Sequence, residues 1–208
     1  LIVVGLAIGL PSIARLTPAG TLRAARGLPT AVLLRGILTF AFFGVDSTRA
    51  EPDFFEQAYA AAVEAGAKEV AVVDTLGIAT PEAAAALVGR AVDLLGPDVP
   101  VHFHGHNDFG LATASAVAAA KAGARWIHGT INGMGERAGN ANLLEVGLAL
   151  EALYGIDTGL RLDRAREVSA RVRELSGYEL EPWKPLVGDT LFRRESGAVA
   201  SQFHDPPS

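Results

Sequence analysis

From residue 37 onward a strand, a loop and a helix recur about every 30 residues, and this period constrains the fold more than any other feature. ILTFAFF (37–43), KEVAVVD (68–74), VPVHFH (99–104) and ARWIHGTI (124–131) are short β-branched or aromatic runs whose starts lie 31, 31 and 25 residues apart. Helical patterns fill the gaps. Pro52 suits a first helical turn, and Phe54, Phe55, Ala58, Tyr59, Ala62 and Val63 recur at helical spacing before Gly66. Thr80-Pro81-Glu82 opens a second helix that runs towards Gly96-Pro97, and an Ala-rich third lies between Gly110 and Gly123. Repeated strand–helix units of this size predict a parallel sheet, because a parallel neighbour needs a crossover of a dozen residues or more. The strands lack strict polar alternation, as expected when helices cover their outer side.

Two closures accommodate such units. A doubly wound sheet usually carries a glycine-rich phosphate loop after an early strand, and neither GxGxxG nor GxxxxGK[ST] is present. A TIM (β/α)8 barrel distributes functional residues over the C-terminal ends of successive strands. The sequence has that distribution: Asp46 and Arg49, then Asp74 and Thr75, then His104, His106, Asn107 and Asp108, then Asn132, Glu136 and Asn140. The expected fold is therefore α/β, a TIM barrel of which the chain holds mainly the C-terminal half. Residues 1–160 are assigned to the partial barrel, with a strand or helix expected in the apolar opening LIVVGLAIGL. Residues 161–208 are assigned to a helix and a linker or dimer-contact tail. That helix has Asp163 in its first turn, a stripe of Leu162, Ala165, Val168, Val172 and Leu175, and a stop at Gly177.

Composition narrows the partners. Apolar residues make up 50% of the 208, enough for a core, and the net charge is −5 without long runs, which argues against wrapping nucleic acid. With no Cys, disulfides, thiolate nucleophiles and Cys-ligated metal clusters are excluded. The apolar opening lacks a basic leader and meets Pro11 well short of the ~20 residues a membrane helix needs, so a cytoplasmic protein without membrane attachment is expected.

HFHGHND is the densest polar cluster. Alternate residues of a strand share a face, so His102, His104 and His106 can point the same way, with His104 and His106 at the barrel mouth. Two imidazoles with one or two oxygen ligands, Asn140 and an acidic residue among them, would suit zinc, manganese or magnesium. The competing reading is a polar barrel interior satisfied by histidines. TINGMGERAGN forms the second cluster. Gly133, Gly135 and Gly139 permit tight turns, so this loop can fold over the mouth and present Glu136, Arg137 and Asn140. There Glu136 would serve as a base or organiser and Arg137 would hold a carboxylate, or the two would form a surface ion pair. Asp74-Thr75 offers a carboxylate and a hydroxyl near the same centre, or a solvated turn.

GVDSTRAEPDF, VVDTLGIATPE, VHFHGHNDFGLATASAVAAAKAGA and GTINGMGERAGNANLLEV together resemble the homocitrate synthase/2-isopropylmalate synthase branch of the metal-dependent acyl-CoA condensing and cleaving enzymes. The resemblance covers roughly residues 37–199. It implies a TIM barrel, a divalent metal, acetyl-CoA as co-substrate, a 2-oxo acid as acceptor and a homodimer. It implies His104, His106 and Asn140 beside the metal, Thr75 with Asp74 at the 2-oxo acid carboxylate, and Glu136 and Arg137 at the acyl-CoA reaction centre. The family's first-strand aspartate ligand has no match in this chain. Val45 stands where the family often has Glu. In the tail, Arg194 and Val199 occupy two histidine positions, the second of which supplies acid/base help across the dimer, and His204 lies five residues further on.

The resemblance thus implies condensation of acetyl-CoA with a 2-oxo acid, giving CoA and a 2-hydroxy diacid of the homocitrate, isopropylmalate, citramalate or phosphonomethylmalate type. The alternatives are a related metal-dependent lyase or aldolase, which the missing Cys of the lyase relatives disfavours, and a noncatalytic regulatory homologue.

Overall fold

The computed structural model describes residues 41–193. The opening segment, most of the 37–43 run, and Arg194, Val199 and His204 lie outside the described residues. Four strands form one parallel sheet in sequential order: β1 (Ala41–Gly44), β2 (Glu69–Asp74), β3 (Val101–Gly105) and β4 (Trp126–His128). After the first three strands come α1 (Pro52–Glu64), α2 (Pro81–Leu95) and α3 (Ala112–Lys121), and α4 (Leu143–Tyr154) follows β4. Sequential parallel strands, each followed by a helix, form part of the wall of a TIM barrel, as the period predicts.

Local chemistry sets the boundaries. Pro52 opens α1, where a missing N–H costs nothing, and the Thr80 hydroxyl accepts the Ala83 N–H at the start of α2 (3.2 Å). Asn142 caps α4 through Leu144 N–H (3.1 Å). One sheet face carries Val70, Val72, Val101 and Phe103, packed with Phe55, Tyr59, Val88 and Ala116 of the helices into the main core. Burying each Val or Phe side chain contributes about 1.5–3 kcal/mol, so this layer holds the wall together. The opposite face, towards the barrel axis, carries the residues that alternate with these, including Phe43, Glu69, His102, His104 and His128.

Beyond α4, a 3-10 turn (Leu162–Arg164) leads into α5 (Ala165–Ser176). Of the expected apolar stripe, Ala165 is buried as predicted, but Val168 and Leu175 are exposed and Ser169, outside the stripe, is buried. The reason is polar: the Ser169 hydroxyl donates to Asn132 Oδ1 (2.6 Å) and the Asn132 amide returns a bond to the Ser169 carbonyl (3.2 Å). Leu144, Ala165 and Val187 form a second small core that fixes α5 and the start of the tail against the wall. Among the described residues no helix is long and apolar enough to cross a membrane.

Candidate functional site

The polar strand ends converge at the C-terminal edge of the sheet. Asp74 closes β2, but its carboxylate is enclosed rather than presented. It accepts from Ile78 N–H (3.1 Å), Ala79 N–H (2.9 Å) and the Thr48 hydroxyl (3.3 Å), and the residue is 2% exposed. These bonds shape the loop in which Thr75 sits. The Asp46 N–H donates to the Thr75 hydroxyl oxygen (2.7 Å), so that hydroxyl keeps its own proton to give away. Asp46 adopts a left-handed conformation (φ 65°) and pairs with Arg49, which leaves this charge neutralised at the rim.

His104 lies near the end of β3 and His106 just past it, with perpendicular rings 4.9 Å apart. His106 donates from Nδ1 to the Asp74 carbonyl (3.2 Å), which leaves Nε2 bare. Metal-binding imidazoles are commonly fixed in this way. His104 has a buried Nδ1 without a hydrogen-bond partner. Burial, then the neighbouring His106, lowers its pKa against the opposing pull of Glu136. The antiparallel bridge His106↔Asn140 brings the GERAGN loop to the same point. The Asn140 amide donates to the Gly105 carbonyl (3.4 Å), so its Oδ1 is available as a ligand. Two bare-nitrogen imidazoles and an amide oxygen are a donor set that fits a divalent cation. Among the described residues no three His, Asp, Glu or Cys side chains converge as a metal cage.

The glycines of the loop act in two ways. Gly133 and Gly139 take positive φ (71° and 95°), whereas Gly135 is needed because a Cβ there would collide with the Asn140 amide. Gly77 has both constraints: φ is 65°, and a Cβ would sit 2.8 Å from Asp108 N and the His106 carbonyl. Arg137 donates to both Asp108 carboxylate oxygens (2.8 and 2.9 Å) and to the Thr75 carbonyl (2.7 Å). Its guanidinium thus holds the protein's own carboxylate. Glu136 projects into solvent, 3.6 Å from Arg137, with 82% of its side chain exposed. A cleft of about 370 Å³ opens beside Asn140, lined also by Asn107, Thr113, Glu145 and Lys184.

Asn132, expected at the mouth, faces Ser169 instead and is buried. His128 was missed by the sequence reading. It ends β4 in register with His104, their rings 5.5 Å apart, and shares a hydrogen bond between its Nε2 and His102 Nδ1 (3.0 Å). Burial, then His102 and His104, pushes its pKa down to about 4. The available signal was its place as the last polar residue of a strand, level with the other strand ends.

A family model described as HMGL-like matches residues 22–172. The chain is 44% identical over 170 residues to a homocitrate synthase of Methanopyrus kandleri, covering 81% of this chain and 42% of that one. It is 43% identical over 164 residues to a 2-phosphonomethylmalate synthase of Streptomyces rubellomurinus, covering 78% of this chain and 43% of that one. The chain therefore spans less than half the length of these curated relatives. Among solved structures, an HMG-CoA lyase from Acinetobacter baumannii superposes with a TM-score of 0.64 at 19% identity, over 93% of this chain and 63% of that one, a likeness of fold.

Proposed function

The chain belongs to the HMGL-like family, and from that premise we propose that it forms part of an enzyme condensing acetyl-CoA with a 2-oxo acid. The observation that carries this reading is the meeting of His104, His106 and Asn140 at one barrel mouth, with Thr75 on the loop that follows the neighbouring strand β2. These three residues would hold a divalent metal (magnesium, manganese or zinc), completed by a carboxylate that the described residues do not bring to them. When bound, the metal supplies Lewis acidity towards the ketone and carboxylate oxygens of the 2-oxo acid.

The chain's own residues do the rest. Thr75 donates its free proton to a carboxylate oxygen of the acceptor. Asp74 builds the loop that aims Thr75, since its carboxylate is already committed to backbone amides. Arg137 ties the loops together through Asp108. Glu136, exposed at the mouth, accepts the proton from the acetyl methyl or orders the group that does. The carbanion attacks the ketone, and thioester hydrolysis releases CoA and the 2-hydroxy diacid. The working protein is a cytoplasmic homodimer.

The test is full-length protein with acetyl-CoA, a divalent metal and a panel of 2-oxo acids, followed by thiol release and product mass. Acceptor-dependent CoA release with a product heavier than the acceptor by the elements of acetic acid is expected. CoA-independent cleavage of a 2-hydroxy acid would replace this reading with the lyase one.

A further inference from the structure

The two candidate metal histidines differ in one respect. His106 has an acceptor for its Nδ1–H in the Asp74 carbonyl, whereas the buried Nδ1 of His104 has none. A metal-bound imidazole ordinarily gives its second N–H to a carboxylate or carbonyl, which fixes the ring and raises its basicity. A buried N–H left unpaired loses its water partner without a replacement, so it is costly.

Next to His104, on the barrel-facing side of the sheet, lies a row of polar side chains. Glu69 Oε2 is 3.1 Å from His102 Nε2, so a slight reorientation of either side chain makes a hydrogen bond between them. His102 Nδ1 is 3.0 Å from His128 Nε2. The His128 ring is 5.5 Å from that of His104, a separation at which a small rotation brings facing ring nitrogens to hydrogen-bond range. Donor and acceptor roles follow in sequence. An ionised carboxylate only accepts, so His102 carries its proton on Nε2 and offers a lone pair at Nδ1. His128 must then donate from Nε2, and its Nδ1 is left bare.

We propose that the Glu69–His102–His128 row is a positioning device for His104, with the bare Nδ1 of His128 accepting the Nδ1–H of His104 when a metal occupies His104 Nε2. Glu69 then acts on the metal ligand through two neutral imidazoles, as a carboxylate would act directly. His128 and His102 are positioning residues and touch neither metal nor substrate. The inference rests on the reading of His104 as a metal ligand.

The test uses the full-length protein and zinc alone, with affinity measured calorimetrically and histidine tautomers read from 15N spectra. His128→Phe keeps a ring and removes the acceptor, so zinc affinity should fall about 10- to 100-fold. His128→Asn places a carbonyl oxygen near the lost Nδ1 and should restore most of it. In the zinc-loaded wild type, His102 and His128 should both carry their proton on Nε2. A proton on His128 Nδ1 would overturn the proposal. So would unchanged affinity in His128→Phe while His104→Ala loses zinc, or equal losses in the Phe and Asn variants. Retention of zinc by His104→Ala would instead remove the metal-ligand reading and this inference with it.

Discussion

Arg137 grips Asp108 with a two-pronged ion pair and, through the same Nη2, reaches the Thr75 carbonyl, so one side chain joins the loops after β2, β3 and β4. The sequence suggested a guanidinium that holds a carboxylate or forms a surface ion pair; the fold gives it the Asp108 carboxylate. Arg137 itself has φ 54°, a left-handed conformation that an ordinary side chain adopts at a cost. Its local strain accompanies the alignment of three strand ends.

Replacing Arg137 with Lys keeps the charge but loses the planar fork. Displacing catalytic groups by about 1 Å costs up to ~100-fold, so kcat/KM should drop by roughly 10- to 100-fold. Bound metal and far-UV circular dichroism should stay unchanged. Wild-type kinetics in the Lys variant would show that charge alone suffices.

Thr75→Val preserves shape and removes the hydroxyl. A hydrogen bond to a charged group is worth roughly 1.5–3 kcal/mol, so kcat/KM should decrease about 10- to 150-fold. Thr75→Ser, which retains both the donor and the acceptor for Asp46 N–H, should stay near wild type. Steady-state kinetics with the accepted 2-oxo acid decide the matter, and unchanged kinetics in the Val variant would take Thr75 out of substrate contact.

His106→Ala should strip most of the bound metal while leaving the helical signal intact. Asn140→Ala should weaken metal binding less, because a neutral amide oxygen contributes less than an imidazole to a zinc- or manganese-type site. Elemental analysis of the folded proteins is the measurement. Full stoichiometry in His106→Ala would refute the site.

The low pKa of His128 makes stability depend on pH in a definite direction. Its folded value is about 4 against an unfolded 6.5, so the unfolded chain binds the extra proton between those values. The metal-free protein should therefore lose stability as pH falls from 6.5 towards 4, by up to about 3 kcal/mol from this group. Urea denaturation across that range should show a shallower pH slope in His128→Phe. Parallel slopes for the two proteins would mean that His128 does not titrate as described.

Much of the wall was legible in the sequence. Strand and helix periods, Pro52, the Thr80 cap and the stop at Gly177 act over a few residues, and each appears in the structure near where the pattern puts it. The HGHND and GERAGN blocks likewise marked the loops that meet.

Partner choice was not legible, because it depends on register between strands far apart in the chain. Only the pairing of β3 with β4 sets His128 beside His104 and within reach of His102. Only the packing of α5 draws Asn132 away from the mouth to Ser169, and only the crossing of three loops turns Arg137 towards Asp108. The sequence by itself determined which elements form and which polar residues end them, since those depend on backbone preferences and on periods of 2 and 3.6. Tertiary structure alone decided which of those side chains face one another, because a side chain's hydrogen bonds go to whatever the sheet register brings within about 3 Å.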